Sequence, residues 1–167
     1  TYELGSKLTF HEGIGGIFNV AVFFNDFENQ QLQLGFNDNP ADNIAVVPTA
    51  APVNAGSSEI YGAELEVAIT PFDGFTLEGG YTWLQTEITE MPVFTVPPSS
   101  PYVITGAQQE GDELALSPEN KYTLSARYTL PLDESVGEVT LGVTFIHTDE
   151  QVTNYVDDRL VGTDFEG

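Results

Sequence analysis

The chain has 167 residues, enough for one domain with a sizeable core. Its 26 Asp and Glu against 4 Lys and Arg give a formal charge of -22, which repels nucleic acid and anionic lipid headgroups and leaves cationic or metal-bearing partners for the acidic loops. Cysteine is absent, which excludes disulfides, thiolate zinc sites and thiol nucleophiles.

No run of about 18 apolar residues offers a membrane helix, and the chain opens at Thr1 inside a strand-like pattern, without an initiator Met or a signal peptide. It reads as a piece of something longer. Apolar residues recur with period two, and no segment keeps a helical period over three turns. Six alternating segments are expected near 2–10, 17–34, 59–70, 75–89, 121–130 and 138–152, rich in the Tyr, Phe, Val, Leu and Thr that strands favour. In the first, Tyr2, Leu4, Leu8 and Phe10 oppose Glu3, Gly5, Lys7 and Thr9. In the second, Phe18, Val20, Val22 and Phe24 make one face, with Phe23 and Phe27 on the other.

The third and fourth carry the clearest pattern. Tyr61, Ala63, Leu65, Val67 and Ile69, then Phe75, Leu77, Gly79, Tyr81 and Trp83, are odd-numbered and apolar, whereas Glu64, Glu66, Thr76, Glu78 and Thr82 are even-numbered. Pro71-Phe72-Asp73-Gly74 joins them as a turn, since Pro presets the first corner and Gly accepts the positive φ after it. The last two segments set Tyr122, Leu124, Ala126 and Tyr128 against Thr123, Ser125 and Arg127, and Val139, Leu141, Val143 and Phe145 against Thr140, Gly142 and Thr144. The connectors alternate in length: His11 to Gly16, Pro71 to Gly74 and Pro131 to Gly137 are short, while 35–58 and 90–120 are long and rich in Pro, Asn and Ser. This is the rhythm of an antiparallel up-and-down meander, all-β, as one domain over 1–167.

Two media fit such alternation. A soluble acidic β-sandwich, binding calcium or a carbohydrate, stacks its apolar faces in a dry core; a membrane barrel turns them to lipid. Segments of about ten residues suit a tilted crossing strand, and short turns at one rim with long loops at the other suit an outer-membrane barrel. Aromatic residues also gather at both ends, with Tyr61, Tyr81, Trp83 and Tyr122 toward the long loops and Phe10, Phe72, Phe75 and Tyr128 toward the short turns. The expectation is lipid on the odd side of Ile60–Leu84 and a polar interior lined by Glu64, Glu66, Glu78 and Arg127. Six strands leave two edges, and open sheets do not span bilayers, so other strands must close the barrel.

The run Asn54-Ala55-Gly56, Tyr61-Gly62-Ala63-Glu64-Leu65-Glu66, Pro71 to Gly74, Leu77 and Gly80-Tyr81-Thr82 resembles the barrel of TonB-dependent outer-membrane receptors. Phe18 to Phe27 is similar to the preceding strand of that family, and Leu116-Ser117-Pro118-Glu119-Asn120-Lys121 to the loop entering the following one. The resemblance covers nearly the whole chain. It implies about six strands of a plugged barrel of about 22, in the Gram-negative outer membrane, importing a small-molecule or metal-chelate substrate: a ferric siderophore, cobalamin or an oligosaccharide. It further implies that outer-membrane lipid, the rest of the barrel and its plug, and the TonB complex acting through that plug are the partners. The family's plug, TonB box and final strands lie outside this sequence, and a passive porin barrel is the other membrane reading.

Motifs for catalysis are missing: the sequence holds no Gly-x-Ser-x-Gly elbow, phosphate loop or HExxH. No enzyme activity, cofactor or metal site is expected. Glu64 and Glu66, two apart on one strand face, have the spacing of an acid and base pair, but polar-in alternation already demands such residues on a lumen wall. His11 and His147 belong to opposite rims without converging ligands. Asn37-Asp38-Asn39-Pro40-Ala41-Asp42-Asn43 offers oxygen ligands to calcium but lacks the Gly and closing Glu of an EF-hand. Substrate contacts are unassigned, with Phe94 and Tyr102 in the second long loop as candidates. Finally, Glu78 and Arg127 are expected to form an ion pair or a close approach across adjacent strands and help fix register.

Overall fold

The structure, a computed structural model, describes residues 1–11, 14–54, 56–105, 108–133, 135–156 and 159–163. Of the expected joints, Glu12, Gly13 and Glu134, together with Ala55 of the Asn-Ala-Gly run, lie outside the described residues. No helix occurs among those described, and eleven strands do: β1 Tyr2–Phe10, β2 Gly15–Glu28, β3 Gln31–Asp38, β4 Thr49–Asn54, β5 Ser57–Phe72, β6 Phe75–Glu90, β7 Tyr102–Thr105, β8 Asn120–Thr129, β9 Thr140–Thr148, β10 Gln151–Val156 and β11 Arg159–Thr163. Six of them form one antiparallel sheet in the order β1-β2-β5-β6-β8-β9. These six are the alternating segments of the sequence, joined as a meander.

Two segments end differently from their sequence pattern. The 17–34 segment breaks at Asn29, whose φ is 57°, and Gly56, with φ 83°, sits across from it where β4 gives way to β5. The Gln30 amide donates to the Gly56 carbonyl at 3.1 Å. Two left-handed residues at one level therefore bend the β2/β5 ribbon sharply, and above the bend it continues as the β3/β4 pair. The 138–152 segment likewise divides into β9 and β10, and β10 pairs with β11 in a hairpin. The long connectors are therefore not simple loops: β3, β4 and β7 make a second antiparallel sheet in the order β4-β3-β7.

The short joints have local causes. Gly74 has φ 80°, where a side chain is strained, and its carbonyl accepts the Thr129 amide at 2.8 Å, tying the β5–β6 turn to β8. In the β8–β9 joint, Asp133 accepts the Ser135 amide at 2.9 Å and the Ser135 hydroxyl at 2.6 Å. Those two bonds stabilise the ionised form and hold the Asp133 carboxyl below its ordinary value.

Each rim runs obliquely to the strands. Phe10 and Gly16 share a row with Ile69, Leu77, Ala126 and Val143; the β5–β6 hairpin extends one same-face pair further to Phe75, level with Tyr128 and Leu141; and the Leu130 amide bonds the Val139 carbonyl one pair beyond that. The rim thus descends by roughly 13 Å over four strand spacings of about 4.8 Å, a slope of about 35°. A closed barrel requires strand tilts of this size, about 35–45°.

Candidate functional site

The functional surface is the sheet itself, whose register sorts the side chains into two faces. On one, Leu8, Phe18, Val67, Gly79, Leu124 and Phe145 form a row, with Phe10, Gly16, Ile69, Leu77, Ala126 and Val143 in the next. This face has no second layer over it: Leu4 is 75 % exposed, Val143 69 % and Phe145 56 %. Contiguous apolar surface on this scale marks an interaction site. Water cannot be the intended medium of a whole sheet face made of Leu, Val, Ile and Phe.

Aromatic clusters bound that face at both ends. Toward the short turns, Phe72 stacks on Phe75 with centroids 5.0 Å apart, and Tyr128 meets Phe72 edge-on at 6.0 Å. Toward the long connectors, Tyr61 meets Trp83 edge-on at 5.9 Å and Tyr122 stacks on His147 at 4.7 Å. Their polar atoms point to polar partners: the Tyr81 hydroxyl donates to Asn120 Oδ1 at 2.7 Å, and Trp83 Nε1 to Glu119 Oε1 at 3.3 Å. This upper boundary steps from Tyr61, in the row of Phe24, to Trp83, in the row of Val22, to Tyr122, in the row of Tyr81. It descends in the same sense as the short-turn rim, as tilted strands require. From Tyr61 to Phe72 the chain spans roughly 36 Å at about 3.3 Å per residue, which a tilt near 40° projects to roughly 28 Å. The hydrocarbon core of a bilayer is about 30 Å thick.

The opposite face carries the polar groups. One row reads Lys7, Asn19, Glu66, Gly80, Thr123 and Ile146, and the next toward the long connectors Gly5, Ala21, Glu64, Thr82, Lys121 and Thr148. Asn19 Nδ2 donates to Glu66 Oε2 at 3.1 Å, Ser125 and Thr144 share a bond of 2.9 Å, and so do Thr129 and Thr140. Glu3, Lys7, Asn19, Glu64 and Glu66 border a shallow recess of about 380 Å³. Alternation puts Phe23 on this face, and Gly62 opposite leaves room for its ring; a Cβ there meets Phe23 Cζ at 2.9 Å.

Glu78 and Arg127 share this face as a diagonal pair, Glu78 opposite Ser125 and Arg127 opposite Thr76. They form no ion pair within 4.0 Å; the ion pair found among the described residues is His147 Nε2 to Asp149 Oδ1 at 2.9 Å. No Lys or Arg occurs between Lys7 and Lys121. Lys7, Lys121 and Arg127 all belong to the polar face, so both long connectors carry carboxylates without a basic residue of their own.

The other candidates separate. Tyr102 lies in β7, edge-on to Phe36 at 6.3 Å, and Phe94 is half-buried in the connector before it. In the 37–43 stretch the side-chain oxygens serve the loop: Asn37 Oδ1 accepts the Asp38 amide, Asp38 Oδ1 that of Val46, Asn39 Oδ1 that of Ala41 and Asp42 Oδ1 that of Ile44. Among the described residues no three His, Asp or Glu side chains converge on a metal position. His11 is exposed at the short-turn rim. His147 belongs to a contact set that spacing alone does not show: Asp149 accepts from Asn120 Nδ2 at 2.6 Å as well as meeting His147. The Asn120 bond first, and His147 second, hold the Asp149 carboxyl below its ordinary value.

Compared with known proteins, the sequence matches the family described as TonB dependent receptor-like, beta-barrel, over residues 1–164. Neither a curated protein nor a solved structure matches it significantly.

Two outcomes are expected from this geometry. Leu124 and Thr123 are sequence neighbours on opposite faces near mid-height; Leu124→Arg should destabilise the reconstituted barrel by about 2–4 kcal/mol in urea unfolding, and Thr123→Arg by far less. Equal costs contradict the assignment of faces. For Asp149, a folded pKa below the ordinary 3.8 contributes stability that is present above that value and lost as pH falls through the folded pKa. Asn120→Ala should return the Asp149 carboxyl toward its ordinary value, read by carboxyl NMR titration.

Proposed function

This chain belongs to the TonB-dependent receptor-like β-barrel family, and on that premise we propose that it forms part of the wall of a plugged outer-membrane barrel of about 22 strands. Members of the family are transporters rather than enzymes. The observation that carries the proposal is the sloping apolar band, bounded by aromatic clusters at both ends and backed by a polar face. Outer-membrane lipid covers the apolar face, and the polar face lines the lumen in which a plug sits. The β5–β6 and β8–β9 turns face the periplasm, and the second sheet stands at the cell exterior.

In this reading residues 1–167 are one part of the barrel domain, and their work in transport is passive. The wall bounds the pathway, the outer loops meet the solute, and the TonB complex supplies energy through the plug. Ferric siderophores, cobalamin and oligosaccharides are the substrate classes that fit a receptor of this kind. Among them, uncharged or cationic species suit this chain best, because outer loops that carry carboxylates and no Lys or Arg repel anionic chelates on approach. Phe94 and Tyr102 are the aromatic side chains these loops offer to a solute.

Membrane placement and energised uptake call for separate measurements. Trp83 is the one tryptophan of the chain and stands at the upper aromatic boundary on the apolar face. In proteoliposomes of the parent barrel with every other tryptophan replaced by phenylalanine, Trp83 fluorescence should be quenched more by lipids brominated near the headgroup than by lipids brominated near the chain end; no quenching by either contradicts lipid contact. In cells carrying the parent receptor, substrate uptake should stop when an uncoupler collapses the proton gradient. Uptake that continues undiminished identifies a passive porin instead.

A further inference from the structure

The staves have lipid on one side and lumen on the other, so dry packing must be sought elsewhere. It lies in the outer part of the chain: Leu34 of β3, Ile88 near the end of β6 and Leu114 of the second connector are buried. Ser58, at the outer end of β5, is fully buried and hydrogen-bonds the side chain of Gln30. Thr86, two residues before Ile88 on β6 and opposite Ile60, is also buried, and its Oγ1 accepts the Leu114 amide at 3.0 Å.

The two long connectors are zipped to each other. Gly35, Phe36, Asn37 and Asp38 of the first pair with Thr105, Ile104, Val103 and Tyr102 of the second. Asn39 prolongs the seam by a fifth level, its amide donating to the Pro101 carbonyl and its Nδ2 to the Ser100 carbonyl, each at 3.0 Å. The Phe36–Tyr102 ring contact sits on one face of this seam. Further along, the second connector is tied to the wall: Ile88 donates to the Asp112 carbonyl at 2.9 Å, Gly111 to that of Ile88 at 2.8 Å, and Leu84 to that of Glu119 at 2.8 Å. Within the first, Asp38 and Asp42 fold the tip back by accepting the Val46 and Ile44 amides.

From this seam we infer that the two long connectors are one preformed unit, paired before any solute arrives, so that its two loops open and close together. Loops ordered only by the solute lose binding energy to that ordering, whereas a paired and packed rim has already met the cost during folding. Substitutions in either loop therefore act on both. Solute capture is the purpose that the transport reading gives this unit; its assembly is independent of that reading and is tested without a solute.

Hydrogen exchange on the intact barrel in detergent, followed by mass spectrometry, reads the unit directly. In the unmodified protein the Gln31–Asp38 and Tyr102–Thr105 amides should exchange at least about 100-fold more slowly than in an unstructured peptide. Exchange at the unstructured rate in either segment overturns the proposal. Gly35→Val then opens the seam, since a Cβ at Gly35 lies 2.5 Å from the Thr105 carbonyl oxygen. Protection should fall in both segments by a similar factor, while the β5–β6 amides keep theirs. Loss in one segment alone means that the loops are independent and the inference is wrong. If Gly35→Val also strips protection from β5–β6, Asn39→Ala, which removes the Nδ2 bond to Ser100, decides by the same criterion.

Discussion

Everything in this molecule rests on one constraint: a strand satisfies its backbone amides and carbonyls sideways, so a sheet can stand between two media without exposing them. The six-stranded ladder meets that constraint edge to edge, and its faces are then free to differ. Because successive side chains alternate, register alone assigns every residue to one face. A slip of one residue between β5 and β6 puts Glu64 and Glu66 among Leu77 and Tyr81, so the carboxylates hold the register as firmly as the apolar residues do.

The constraint relaxes outside the apolar band. There water can bond the backbone, strands are free to part from the meander, and the chain uses that freedom. Asn29 and Gly56 bend the β2/β5 ribbon at one level, and β3 leaves to pair with β7 from the other long connector. Leu34, Ile88 and Leu114 are buried in this part of the chain, whereas Leu124 and Val143 on the wall lie open. The wall is stabilised by its solvent and the outer part by its own packing.

Charge follows the same division. Cations occur on the polar face of the wall at Lys7, Lys121 and Arg127, near Glu64, Glu66 and Glu78, while the outer connectors carry carboxylates without a basic partner of their own. The carboxylates of Asp38, Asp42 and Asp112 accept backbone amides, which fixes loop shape while leaving the negative field in place. The side chains that fix the shape of these connectors are therefore the ones that carry their negative field.

By itself the sequence determined what is local. Period-two alternation gave the faces of β1, β2, β5, β6, β8 and β9, Pro71 to Gly74 marked a turn, and the rings of Tyr61, Trp83, Phe72 and Tyr128 marked both boundaries, because strand side chains, turns and interfacial rings depend on near neighbours in the chain and on the solvent they meet. Only the tertiary structure decided what depends on distant pairing. That β3 leaves β2 at Asn29, that Phe36 meets Tyr102 across 66 positions of sequence, and that His147 and Asn120 converge on Asp149 are set by which strands become neighbours. The Glu78–Arg127 pair belongs to both levels: alternation placed the two on one face, while the strand register set them diagonally rather than directly opposite. Alternation carries no information about which strand stands alongside or how far it is staggered; that is fixed when ladders form between segments far apart in the chain.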